Sequence, residues 1–328
     1  MRCFATLISN QIATLILTGW LKSEVDIIIV IIGLFLLGFL ARRVISEPAY
    51  IVKWLNNFII YLAMPALILL KVPSLALSAD MMIPVAVAWA WFLVGAILVL
   101  AISRLLSWPR STEGAMLLLV TMGNTSFLGY PMVSAFFNDT VLGYAIFFDQ
   151  LGGFLILSTF GLIIIALYTP AEDGRAGSVN LLQIAKRVFT FPPFIALLVA
   201  VFIPLENIIS WASMPLSLLG QALMPAALFV LGVQFQPKLL PEHEIPLFSA
   251  IVLKMIVAPM LALLIVVSLG SNADVRAASV FEAAMPSMIT PGLLAIHAGI
   301  APRFVATLLG YSTVFAFISL PLIAWLLN

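Results

Sequence analysis

The sequence predicts an all-α polytopic membrane protein with ten transmembrane helices in two inverted repeats of five, the fourth and ninth helices being broken and crossing one another. Three observations carry this: composition, ten apolar runs, and a pair of proline-bearing motifs repeated at an offset of 160 residues. Of 328 residues, 63% are apolar and 9% charged, where soluble domains run near half apolar and about a quarter charged. A water-soluble chain of ~300 residues still exposes about a quarter of its unfolded surface, and this composition cannot cover that area with polar groups. Mean hydropathy is +1.20. At roughly 20 residues per span, the length holds about ten to twelve helices and leaves no stretch for a soluble domain. A net charge of +1 gives no electrostatic footprint for nucleic acid. One cysteine, Cys3, makes neither an intrachain disulfide nor a thiolate metal site. His243 and His297 are too few for a haem-rich protein, so no cofactor or metal is expected.

Apolar runs divided by charged or proline-rich punctuation place spans near 25–41, 55–71, 82–103, 114–137, 141–168, 188–204, 209–234, 246–269, 276–299 and 303–327. Residues 4–20 are apolar too, but Asn10, Gln11 and Thr14 make a poor span. Residues 1–24 are therefore read as an N-terminal interfacial segment, with an eleventh span as the alternative. Lys and Arg in alternate loops set the orientation. One side carries four, Arg2, Lys22, Lys71 and Arg276; the other carries ten, including Arg42, Arg43, Arg104, Arg110, Arg175 and Arg303. Both termini are expected outside, with the 169–187 linker in the cytoplasm.

Met64-Pro65-Ala66 recurs as Met224-Pro225-Ala226, and Pro131 shifted by the same 160 residues lands on Pro291. The repeats are then 25–168 and 188–327. Five spans per repeat is odd, so the second copy enters the membrane upside down, the architecture of many secondary transporters. Gly123, Gly129 and Pro131 are the expected breakers of the fourth span, and Pro286, Pro291 and Gly292 those of the ninth. Proline removes a donor and clashes with the preceding turn. Beside the breaks stand Asn124, Thr125 and Ser126, then Ser287 and Thr290. Half-helix N-termini and neutral hydrogen-bonding side chains together suit a carboxylate.

At these residues the sequence resembles the auxin efflux carrier family, whose members include bacterial organic-anion permeases and plant PIN-type auxin carriers. The matching pieces are YLAMPALIL at 61–69, GNTSFLGYPM at 123–132, LKMIVAPML at 253–261 and MPSMITPGLLA at 285–295, which in order span most of 25–327. The resemblance implies ten helices in two inverted repeats, related in fold to the bile-acid sodium symporters. It also implies an elevator, with helices one, two, six and seven as scaffold and the others as the moving transport domain. Implied substrates are organic anions such as auxin, malate and malonate. The short 169–187 loop is similar to the bacterial branch, which implies a bacterial inner (plasma) membrane location.

Three ionisable residues fall inside spans, where they are costly and so point to function: Asp149, Lys254 and Glu282. The expected mechanism docks a small organic anion near Asn124, Thr125, Ser126, Ser287 and Thr290, with Gln150 beside them. Asp149 first, and Glu282 second, exchanges a proton as Lys254 pairs with it or releases it. The coupling ion stays open between H+, Na+ and none, and so does a homodimeric assembly. An enzyme is disfavoured because Ser126 and Ser287 have no intramembrane histidine and no HExxH spacing occurs. A channel would want charged rings or a carbonyl filter, and a sensor would want an output domain.

Overall fold

The long apolar runs fold as helices because, in lipid, only intrachain hydrogen bonds can satisfy the backbone. The computed structural model describes residues 24–74, 78–170, 181–203, 206–235 and 244–328, and these are helical apart from connecting turns and one isolated β-bridge. The expected N-terminal interfacial segment, Cys3, His243 and most of the linker lie outside the described residues. In chain order the helices are α1 (Glu24–Ala41), α2 (Pro48–Lys71), α3 (Ala79–Leu105), α4 (Arg110–Thr121), α5 (Tyr130–Phe136) and α6 (Asp139–Tyr168). They continue as α7 (Leu181–Phe189), α8 (Pro192–Phe202), α9 (Glu206–Gln221), α10 (Leu223–Gln234), α11 (Glu244–Ser268), α12 (Ala273–Ala283), α13 (Ile289–His297) and α14 (Pro302–Leu327). Among the described residues six stretches are long and apolar enough to cross a membrane: α2, α3, α6, Ala212–Gln234, α11 and α14. Their outer faces carry large exposed apolar side chains, such as Leu93 and Ile97 on α3 and Ile318, Leu322 and Trp325 on α14. Such surfaces face lipid.

Two boundaries differ from expectation: the second span was expected at 55–71, but its helix begins at Pro48. The sixth apolar run was expected at 188–204, but the amphipathic helix α7 occupies Leu181–Phe189 and the apolar helix starts at Pro192. Pro192 and Pro193 set this start, since proline fits the first helical turn and disfavours helix in the residue before it.

Polar contacts fall into two groups at opposite helix ends. At one end Lys71 pairs with Asp139 at 2.6 Å, Asn138 donates to Asp274, and Asn272 donates to Asp80. The same two asparagines cap α6 and α12, their side-chain oxygens accepting the Val141 and Val275 N–H groups. At the other end Arg42 donates to the Phe235 carbonyl, Arg110 to the Leu167 carbonyl, and Tyr168 to Glu113. Successive long helices run from one group to the other.

Packing is tightest where α1 meets α10. A Cβ on Gly38 would lie 2.1 Å from the Phe229 carbonyl oxygen, and one on Gly232 would lie 2.0 Å from that of Phe35. The two backbones touch, the close approach that small residues permit in membranes. Helix α2 packs on α8 and α9, while α3 packs on α4, α11 on α12, and α12 on α6. Two of the cavities among the described residues lie toward the helix ends. One of about 430 Å³ opens beside Lys71 and Asp139, between α1, α2, α5, α6 and α9–α10. The other, about 110 Å³, lies between α10, α13 and α14 toward the opposite end.

Replacing Gly232 with Val should force α1 and α10 apart. Overpacking of this kind costs ~1–3 kcal/mol or more, so the melting temperature in detergent should fall by several degrees. Gly33→Ala, where a Cβ meets nothing within 4 Å, should leave it unchanged.

Candidate functional site: a crossing of two broken helices

The fourth span is interrupted between α4 and a π-helical turn at Thr125–Gly129 that leads into α5. The ninth is interrupted between α12 and α13. The two interruptions meet as an antiparallel bridge between Gly123 and Ser287. Asn124 N–H donates to the Pro286 carbonyl at 2.8 Å, and Met288 N–H donates to the Met122 carbonyl at 3.0 Å. Each broken helix thus supplies one donor and one acceptor to the other. This reciprocal register differs from the proline match. Residue 123 opposes 287, four positions beyond an offset of 160, so the Pro131–Pro291 match is displaced by about one helical turn.

Gly123 and Pro286 sit within the interruptions, whereas Gly129, Pro131 and Pro291 do not. Gly129 ends the π turn, Pro131 falls in the first turn of α5, and Pro291 in the first turn of α13. Proline in a first turn loses no hydrogen bond that the helix would have made. Pro131 has a different consequence. Three π turns, Ile59–Ala63, Thr125–Gly129 and Leu253–Val257, each end two residues before a proline: Pro65, Pro131 and Pro259. A proline ring collides with the carbonyl four residues back, and a wider turn makes room for it. The second and third of these turns carry Thr125 with Ser126, and Lys254. A further π turn without proline, Phe148–Phe154, carries Asp149 and Gln150.

Asp149 is fully buried and accepts four side-chain hydrogen bonds. Thr125 and Ser126 donate to Oδ1, the latter at 2.6 Å. Tyr130 and Gln150 donate to Oδ2, each at 2.7 Å. Four donors on two oxygens is a set that an ionised carboxylate can accept. The expected pairing of Asp149 with Lys254 is replaced by this neutral shell. Three of the expected anion contacts, Thr125, Ser126 and Gln150, spend a donor on Asp149. Tyr130 belongs to the cluster as a donor, a role the sequence reading missed; the need of a buried tyrosine hydroxyl for a partner was the available signal.

Lys254 is 2% exposed, and its Nζ donates to the Ala283 carbonyl at 2.7 Å. Ala283 is the last residue of α12, so its carbonyl has lost its helical partner. The α4 terminus is treated alike: the Trp91 indole N–H donates to the Val120 carbonyl at 3.1 Å. In both pairs the donor precedes the acceptor by 29 residues. The requirement that a buried indole N–H find an acceptor pointed to a partner for Trp91, which the sequence reading did not seek. Glu282 is buried beside α5, where a Cβ on Gly129 would lie 2.6 Å from Oε2. Neither Glu282 oxygen has a hydrogen-bond partner among the described residues, and neither do Ser287 Oγ and Gln150 Oε1. Asn124 is also buried, and Thr290 is half-buried in the first turn of α13.

Tyr130→Phe removes one donor from Asp149, and hydrogen bonds to charged groups are worth ~1.5–3 kcal/mol. The variant should melt several degrees lower in detergent. Ser287→Ala removes no hydrogen bond and should melt like the parent.

Residues 25–324 match the family described as membrane transport protein. An uncharacterized transporter of Methanocaldococcus jannaschii is 25% identical over 313 residues, covering 92% of this chain and 98% of that one. An uncharacterized transporter of Methanothermobacter thermautotrophicus is 28% identical over 303 residues, covering 90% and 96%. A Rhizobium meliloti protein named "Putative malonate transporter" is 27% identical over 265 residues, covering 74% and 76%. The chain, an integral multi-pass membrane protein and not an enzyme, belongs to this membrane transport protein family, the auxin efflux carriers.

Proposed function

We propose that the protein is a secondary carrier for a small organic anion, with the carboxylate bound where the two broken helices cross. The observation that carries this reading is the polar capacity left over at the crossing. Ser287 Oγ has no hydrogen-bond partner among the described residues, and Asn124 lies next to the bridge at the start of the second half-helix. Half-helix N-termini favour negative charge. We assign direct contact with the anion to Asn124, Ser287 and Thr290. Thr125, Ser126 and Gln150 hold Asp149 and shape the site from behind. The Rhizobium meliloti relative named for malonate makes a short dicarboxylate the first substrate to try.

The ten-span, inverted reading draws support from several features. Beside the six long helices are two shorter apolar ones, Ile28–Ala41 and Pro192–Phe202, and the two broken pairs. The reciprocal bridge and the matched carbonyl caps repeat one design in both halves. On this reading residues 25–168 and 188–327 are the repeats, 169–187 links them in the cytoplasm, and both termini lie outside the bacterial inner membrane. An elevator fits the two unequal cavities, each lying between α10 and half-helices of the crossing and opening toward opposite ends. For proton coupling we favour Glu282 over Asp149. Its two carboxyl oxygens have no hydrogen-bond partner among the described residues, whereas those of Asp149 accept four hydrogen bonds; Asp149, Lys254 and Tyr130 are the ionisable groups around it.

The test is uptake of labelled malonate, malate and an aromatic acid into proteoliposomes with imposed pH gradients. Saturable uptake of a short dicarboxylate is expected, and Asn124→Ala should raise KM at least tenfold, ~1.4 kcal/mol. Glu282→Gln should leave uptake indifferent to the gradient. Flux that never saturates would instead point to a channel.

A further inference from the structure

Both half-helix C-termini at the crossing present a carbonyl that has lost its helical donor, yet they are satisfied by different chemistry. At Val120 the donor is neutral, the Trp91 indole; at Ala283 it is the Lys254 ammonium, 29 residues upstream in each case. A neutral group therefore suffices to cap such an end. A buried ammonium costs far more than an indole, so capping alone does not account for it. Carriers built on broken helices hold Na+ at unwound backbone carbonyls and half-helix C-terminal ends. We propose that the Lys254 ammonium occupies the alkali-cation position of this crossing, a tethered cation that makes the carrier independent of sodium.

Four observations place it there. Nζ contacts the terminal carbonyl of α12 at 2.7 Å. It lies against the interruption of the fourth span, 3.0 Å from where a Cβ on Gly123 would stand, so a side chain at that position would press on the ammonium. Glu282, whose carboxyl oxygens have no hydrogen-bond partner among the described residues, acts on the ammonium electrostatically without forming an ion pair. Nζ also borders a cavity of about 10 Å³ shared with Gly123, Thr125 and Trp91, close to the size of one water. Removing the ammonium would join its volume to that cavity, leaving a space for one cation beside the Ala283 carbonyl. With Lys254 in place the buried charges are Asp149 and Glu282 against one ammonium, and a single proton on Glu282 brings the set to neutrality.

The proposal rests on the carrier reading only for its transport consequence; its binding arm needs no substrate. Melting of the purified protein is followed in NaCl and in N-methylglucamine chloride at constant ionic strength. The parent should melt within about 1 °C in the two salts. Lys254→Ser should melt lower without sodium and recover as sodium is added, by about 3 °C at ten times Kd. Adding Glu282→Gln should abolish that recovery. Sodium-dependent stabilisation of the parent would overturn the proposal, and so would equal destabilisation of Lys254→Ser in both salts, the mark of a structural cap. If Lys254→Ser does not fold, the longer neutral Lys254→Gln is held to the same two outcomes. In proteoliposomes, parent uptake should be equal with and without sodium. A chain that transports none of the anions sinks the carrier reading while the melting result still stands or falls by itself.

Discussion

Two backbone hydrogen bonds hold the site together, Asn124 N–H to the Pro286 carbonyl and Met288 N–H to the Met122 carbonyl. Interrupting a helix at bilayer depth strands donors at the start of one half and acceptors at the end of the other. Crossing two interrupted helices lets each meet part of the other's need, and neither break is tolerable alone. What the bridge leaves unsatisfied dictates the neighbours. The stranded carbonyls of α4 and α12 recruit Trp91 and Lys254. Side-chain groups without a partner among the described residues, such as Ser287 Oγ, have capacity to spare for a ligand.

Asp149, Lys254 and Glu282, the buried acidic and basic side chains among the described residues, are handled in three ways. Asp149 is surrounded by hydroxyls and an amide, Lys254 is held by a carbonyl, and Glu282 is packed against the backbone of Gly129 without a donor. Only the last leaves its polar atoms with nothing to do.

Much of this was legible beforehand. Alternating apolar runs and punctuation located the long helices, since in lipid a span is little more than twenty apolar residues between polar ends. The cluster around 123–126 and 286–290 was visible as glycine and proline set among small polar residues. The register of the crossing was not, because Pro131 and Pro291 match as letters while standing one helical turn apart in role. The partner of Asp149 was missed for a related reason: opposite charge suggested Lys254, but π turns rotate Thr125, Ser126 and Tyr130 onto the carboxylate instead. Periodicity read at 3.6 residues per turn cannot anticipate a helix that changes its own period.

The prolines at 65, 131 and 259 have a bearing beyond local bending. A π turn holds one more residue than the α turn it replaces, so everything before it is rotated by about 100° relative to everything after. Pro131 thereby works as a phase-setter. It fixes the angle at which Thr125 and Ser126 leave the helix without touching Asp149 itself. Along such a helix, distance from the site is a poor guide to consequence. A residue one turn away that alters the phase can turn a whole polar face toward lipid, whereas a change on that face costs one bond.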